Sequence, residues 1–365
     1  MWLIAIIGGA TAFIESTLGQ LYKVRGKDSY IGGPAYYIRD GLGWKPLAVA
    51  FAVIITVTYG FVFNAVQANS ISESIRNQFS LEGAGSSLII GVVLAVVTGL
   101  VIFGGVRRLS AVTEILVPVM AAAYIVVAVV VVIINITEVP DMVALIVGQA
   151  LGFREVAGAT IGAAIMQGMR RGLFSNEAGM GSTPHAHALA RVDKPQDQGL
   201  AAMIGVFIDT FIVLTMTALV ILSSGLLQPL QEGGLTGTAL AQAAFNQAFG
   251  SFGNAFVAVC MLFFAFSTII GWYFFGETNV KALLGPKAVR PYAVIAVLCI
   301  VVGSVQKVDL VWNMSDMFNG LMVIPNLLGV LALSGVVAKL ARGGKAEADE
   351  AQKEAAARAA AAEQD

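Results

Sequence analysis

Residues 166–187 read MQGMRRGLFSNEAGMGSTPHAH and gather a glutamine, two adjacent arginines, an asparagine, a glutamate, two histidines and four glycines. Such residues do not make an enzyme's constellation. His185 and His187 are the chain's only histidines, and no cysteine lies near to complete a metal site. What the stretch offers is non-covalent capture: charged and amide side chains, and glycines that let a backbone leave the helix and expose its own amide and carbonyl groups. Three other spots carry polar groups. Ser267 and Thr268 are adjacent hydroxyls, suited to a hard cation such as sodium or to bonding their own helix carbonyls four residues back. Asn64 and Gln67 stand three apart on one helix face, placed for a carboxylate or amino group or for an interhelical hydrogen bond. Asp209 and Glu114 are single acids in apolar stretches, readable as proton relays or as paired structural acids.

The elements that position these residues are apolar throughout. Of 365 residues 57% are hydrophobic and 12% charged, and mean hydropathy is +0.81. Soluble domains carry about 25% charged residues, so the composition is that of an all-α polytopic membrane protein. The net charge of −1 gives no basic footprint for nucleic acid. Cys260 and Cys299 sit in apolar runs and read as small hydrophobes. A crossing needs about 20 apolar residues. Nine candidates follow: 1–22, 45–71, 86–106, 111–134, 157–190, 198–224, 254–283, 290–306 and 310–340. Segment 135–156 is too polar and interrupted to span and reads as a short interfacial helix. Residues 1–342 form the membrane domain, and 343–365 form a charged, alanine-rich tail, helical and solvated or disordered.

Connectors 23–45, 107–108, 191–194 and 281–290, with the tail from Lys339, hold seventeen of the 22 lysines and arginines. The opposite side holds Arg76, Arg154 and Lys307. Positive charge concentrates on the cytoplasmic side, which places the tail there. Nine spans then put Met1 outside. Met1 opens directly into MWLIAIIGGA with no charged leader, so an N-terminal piece with at least one further helix is expected before it.

Segment 157–190 is too long for one straight crossing. Glycines at 158, 162, 168, 172, 179 and 181 precede Pro184. Entry near Gly158 puts Gly168 roughly 15 Å deep at 1.5 Å per residue, so the expected break is Gln167–Gly172. Unwound backbone at that depth must line a cavity or pack inside protein. Transporters use such breaks, with half-helix dipoles, for zwitterionic substrates and their ions. The alternative is a kinked helix packed closely on its neighbours. Arg170 and Arg171 would pair with Glu177, Glu15 or Glu114, as structural ion pairs or as a gate.

RGLFSNEAGMGSTPHAHA (171–188) resembles the signature of the alanine or glycine:cation symporters, the sodium:alanine symporter family. GGPAYYI (32–38), FGGVRRL (103–109), FSTIIGWYFFGE (266–277) and SDMFNGLMVIPNL (315–327) are similar to that family in the same order. The resemblance covers residues 1–340. It implies a five-plus-five inverted-repeat fold of the leucine-transporter type in which 157–190 is the sixth core helix. Residues 1–22 resemble the second, and nothing in the chain matches the first. The resemblance implies symport of a small neutral amino acid, alanine or glycine, with sodium or alternatively a proton, in the cytoplasmic membrane. A chain lacking the first core helix could instead be a non-transporting fragment. Substrate contacts are then expected from Gln67, Gln167, Gly168, Gly172, Phe174 and Asn176, sodium ligands from Ser267 and Thr268, and a gate or ion pair from Arg170, Arg171 and Glu177. Trp272, Tyr273, Phe274 and Phe275 read as packing and interface anchors, and His185 and His187 as loop or gate residues. No organic cofactor is implied. No nucleophile elbow, nucleotide loop or repeated pore motif points to an enzyme or a channel.

Overall fold

Apolar runs bounded by glycine, proline and charge become helices, and the computed structural model shows little else. It describes residues 1–26, 29–104, 106–150, 159–226, 235–343 and 345–362. In chain order the helices are α1 (Trp2–Leu21), α2 (Lys45–Phe79), α3 (Ala84–Ile102), α4 (Val106–Ile134), α5 (Val139–Ala150), α6 (Ala159–Asn176), α7 (Thr183–His187), α8 (Pro195–Ser223), α9 (Gly237–Phe249), α10 (Ser251–Leu284), α11 (Val289–Val305), α12 (Val308–Arg342) and α13 (Lys345–Ala362). Between α1 and α2 lie a hairpin pairing Val24 with Ile31, a short helix Pro34–Tyr36 and a π-turn Tyr37–Gly41.

Among the described residues, eight helices are long and apolar enough to cross a membrane: α1, α2, α3, α8, α10, α11, α12 and the Val117–Ile134 part of α4. Their outer faces expose Ile6 and Ile7 on α1, Ile89 and Val93 on α3, and Ile324 and Leu331 on α12. Such stripes belong against lipid, which repays exposed apolar surface as water does not. The ninth expected span, 157–190, is not a continuous helix. It is α6 and α7 with a non-helical stretch between them. Within 135–156, α5 is twelve residues long, too short to cross; residues 151–158 lie outside the described residues.

The bundle packs closely enough to need small residues at crossings. α11 lies so near α2 that a Cβ on Gly303 would fall 2.5 Å from the Ala65 Cα. Two helices widen into π-turns, Thr58–Val62 in α2 and Ile208–Leu214 in α8. Such turns recur at functional sites because they redirect side chains without ending the helix. Pro325 inside α12 cannot donate to the carbonyl of residue 321, which loosens that helix one residue before Asn326. The tail is helical, and it is not solvated all round: Ala355 is buried in one cluster with Leu18, Tyr22 and Tyr37.

Candidate functional site

The break falls at Glu177–Ser182, ten residues beyond the start of the stretch expected to unwind. Gln167–Gly172 remain helical, so their amides serve the α6 ladder. Gln167 is exposed, Gly168 is half-buried, and Gly172 is buried, with its Cβ position 3.4 Å from Ile4 on α1. These two glycines accommodate the start of α1; they do not open the helix. The opening requires positive φ, and three residues supply it in alternation: Glu177 (+55°), Gly179 (+92°) and Gly181 (+79°). Two are glycines, which adopt that region at no steric cost. Glu177 pays for it with side-chain bonds. A Cβ on Gly181 would lie 2.5 Å from the Pro34 ring and 2.9 Å from the Asn326 side chain, so the turn sits flush against α12 and the 34–41 segment.

Side chains from α1, α2, α10 and α12 enclose the turn. Glu15 is fully buried on α1. Its Oε1 accepts the Gly179 N–H at 3.1 Å, and its Oε2 accepts from Asn326 Nδ2 at 2.8 Å. Asn326 Nδ2 also donates to the Gly179 carbonyl at 2.9 Å, and the Tyr37 hydroxyl donates to Asn326 Oδ1. The Glu177 carboxylate accepts from Ser182 Oγ and from Trp272 Nε1. Trp272 therefore does more than pack. Asn176 Oδ1 accepts the Ala178 N–H at 3.1 Å and its Nδ2 donates to Thr210 at 3.2 Å, closing the end of α6. Ser175 donates to Asp209 Oδ2 at 2.8 Å. A cavity of about 350 Å³ beside this end of α6 is lined by Ser175, Asn176, Thr183, His187, Val206 and Asp209.

Both His185 nitrogens are engaged: Nδ1 faces the Ser182 carbonyl at 3.0 Å and Nε2 accepts from Asn279 Nδ2 at 2.8 Å. That pattern puts the hydrogen on Nδ1. His187 Nδ1 lies 2.6 Å from Gln198 Oε1. Beyond α7, Lys23 Nζ donates to the Ala190 carbonyl at 2.8 Å, and burial pushes the Lys23 ammonium below its ordinary range.

An aromatic group caps the other side of the turn. Phe63 meets Phe174 and Trp272 at centroid distances of 5.1 Å, Tyr59 meets Trp272 at 5.4 Å, and Phe174 meets Trp312 at 4.9 Å. The π-turn in α2 presents Tyr59 and Phe63 together. Gln67 follows Phe63 by one helical turn and is half-buried, whereas Asn64 is fully buried with neither amide atom bonded among the described residues. Arg170 and Arg171 pair with Asp316 of α12, not with Glu177, Glu15 or Glu114. Arg171 bonds it directly and lies over the Trp312 ring at 4.4 Å; Arg170 stands 3.7 Å away. Seven residues, about 10 Å of helix, separate Arg170 from Glu177, and Glu177 turns inward past the helix end. Glu114 is exposed. Ser267 is buried and Thr268 half-buried, one turn from Trp272, and both hydroxyls donate to the Phe264 carbonyl, at 2.9 and 2.8 Å. Their lone pairs are not consumed by those bonds.

Sequence reasoning named Glu15 only as a partner for the arginines and did not name Tyr37, Ser182, Asp316 or Asn326. The signal was present: each is polar in or beside an apolar span, and Asp316 and Asn326 fall within SDMFNGLMVIPNL.

The sodium:alanine symporter family model matches residues 1–358. The chain is 45% identical over 341 residues to the amino-acid carrier protein AlsT of Bacillus subtilis, covering 93% of this chain and 71% of that protein. It is 46% identical over 338 residues to the probable sodium/glutamine symporter GlnT of the same organism, covering 92% and 69%. It is 40% identical over 342 residues to the sodium/alanine symporter AgcS of Methanococcus maripaludis, covering 92% and 74%.

Proposed function

The chain belongs to the sodium:alanine symporter family, and on that premise we propose that it carries a small neutral amino acid, alanine or glycine, across the cytoplasmic membrane together with sodium. Its relatives are transporters and not enzymes. The reading extends to a five-plus-five inverted-repeat architecture with the tail on the cytoplasmic side and alternating access around the break.

One observation carries the cation coupling. Glu15, Glu177 and Asp209 surround the break, and none has a lysine or arginine partner among the described residues. Glu15 is buried and Glu177 and Asp209 are half-buried; carboxylates withdrawn from water without a counter-charge are disfavoured, so a bound cation, or a proton on Asp209, is the natural complement. The amino acid would lie against the 177–182 backbone with Phe174, Asn176 and Gln67 around it. Sodium would take the outward lone pairs of Ser267 and Thr268.

The test is uptake of radiolabelled alanine by the purified chain in liposomes. Accumulation driven by an imposed sodium gradient is the expected result; equal uptake with and without the gradient would overturn sodium coupling. Replacing Ser267 and Thr268 together by alanine should remove sodium stimulation, and unaltered sodium dependence would sink that ion assignment. Asp209, bonded to Ser175 of the broken helix and lining the cavity, favours a second reading in which a proton travels. Asp209→Asn then flattens the pH dependence of uptake. Glutamine in competition with alanine decides whether the site accepts the larger side chain that one relative's name implies.

A further inference from the structure

We infer that Glu15, Asn326 and Tyr37 are positioning residues: they set the backbone geometry of the 177–182 turn and, through it, affinity for the transported amino acid. This inference rests on the transport reading and adds residues that reading does not use. Both backbone groups of Gly179 are held by side chains from other helices: its N–H by Glu15 at 3.1 Å, its carbonyl by Asn326 at 2.9 Å. Gly179 is in the left-handed region, outside any helical ladder. Without these partners its polar groups would be buried and unsatisfied.

The network has one consistent polarity. Tyr37 donates to Asn326 Oδ1; Asn326 Nδ2 donates to Glu15 Oε2 and to the Gly179 carbonyl; the Gly179 N–H donates to Glu15 Oε1. Glu15 must therefore accept on both oxygens. A carboxylate does this, whereas a glutamine presents a donor on one side. That explains why an acid is buried here when an amide of the same shape would be cheaper to desolvate. The three side chains come from α1, α12 and the π-turn at 37–41, so three elements fix one non-helical residue. They grip the backbone that the proposed function gives to the substrate and lie outside the cluster of Tyr59, Phe63 and Trp272. Gly181 adds to the case: its Cβ position lies 2.9 Å from the Asn326 side chain, so a displaced Asn326 displaces the turn.

Glu15→Gln turns a donor toward Asn326 Nδ2. If Asn326 flips in response, the Gly179 carbonyl loses its partner. Asn326→Asp takes the donor away from both Glu15 and the Gly179 carbonyl. Two readouts are needed. Hydrogen–deuterium exchange of the peptide covering 177–182 reports how firmly the turn is held, without any need for transport. The KM and Vmax of alanine uptake report its consequence. The expected result for Glu15→Gln is exchange faster by about tenfold and KM higher by about tenfold with Vmax little changed, the factor set by one unsatisfied buried bond. Expected for Asn326→Asp is a change of at least the same size in both, since two acceptors lose their donor. Unchanged exchange in Glu15→Gln overturns the clamp. Faster exchange with native KM overturns its role in affinity. Native exchange and native KM in Asn326→Asp also overturn the inference. Absence of alanine uptake by the native chain fails the transport reading instead, while the exchange arm still decides the clamp.

Discussion

At residues 177–182 the polar side chains reach across to other helices, whereas at Ser267 and Thr268 they bond back to the carbonyl of their own helix. Both patches interrupt apolar spans. The first needs tertiary partners because its backbone has left the ladder: three residues with positive φ in a row of alternates leave amides and carbonyls outside it, and Glu15, Asn326 and Asn176 bond those of Gly179 and Ala178. The second keeps an intact helix, so its hydroxyls need no outside donor or acceptor, and their free lone pairs stay available to a ligand. The contrast teaches that a polar group in a membrane span is structurally dear where it completes a broken backbone and structurally cheap where the backbone is whole. Function can reside at either.

The comparison can be broken most directly at Glu177. Glu177→Ala leaves the Ser182 hydroxyl and the Trp272 indole N–H without acceptors, a loss of about 3 kcal/mol. The apparent melting temperature of the purified protein in detergent should fall by about 5 °C. A fall of a degree or less would mean the turn does not depend on that carboxylate. Gly181→Ala comes next. The left-handed backbone alone costs about 1–2 kcal/mol for a side-chain-bearing residue, and its methyl must displace Pro34 or Asn326. Melting should drop by a few degrees, and full native stability in this variant would contradict the described turn.

Two smaller effects sharpen the contrast. Asp316→Asn removes the partner of Arg170 and Arg171, which are one-third to one-half exposed at 45% and 32% of their side-chain surface. A partly solvated pair contributes about 0.5–1 kcal/mol, so calorimetry should detect a shift near 1 °C; a loss as large as that of Glu177→Ala would make the arginine pair a structural keystone. Smallest is the double change of Ser267 and Thr268 to alanine. The Phe264 carbonyl keeps its helical N–H, so stability should change by less than about 0.5 kcal/mol. Thermal unfolding indistinguishable from the native protein, together with altered ion dependence, is the pattern expected of a ligand position. A large loss of stability in this variant would erase the distinction between the two patches.

Much of the architecture was legible along the chain. Eight of the nine expected spans correspond to continuous apolar helices, because an apolar run of about 20 residues has little choice in lipid. The ninth, whose glycines and charges fit no single crossing, is α6 and α7 with a non-helical stretch between them. The position of the interruption was misplaced by about ten residues. Depth counting favoured Gly168 and Gly172, yet those glycines serve close packing against α1, and the two that carry positive φ are Gly179 and Gly181. A glycine in a sequence does not declare whether it yields space or conformation. The partners of Arg170 and Arg171 were likewise out of reach: proximity in sequence suggested Glu177, but only the packing of α6 on α12 brings Asp316 to them.

The sequence by itself determined an all-helical membrane protein, the place of its spans, the family to which it belongs and the presence of one broken helix. Those properties depend on local hydropathy and on contiguous motifs. Tertiary structure alone decided which residue bends and which acid completes the bend. Glu15 and Asn326 stand 311 positions apart and meet on Gly179. The unmet hydrogen bonds of a residue outside any helix can be answered only by whatever the fold brings within 3 Å, and that distance is set by the packing of whole helices.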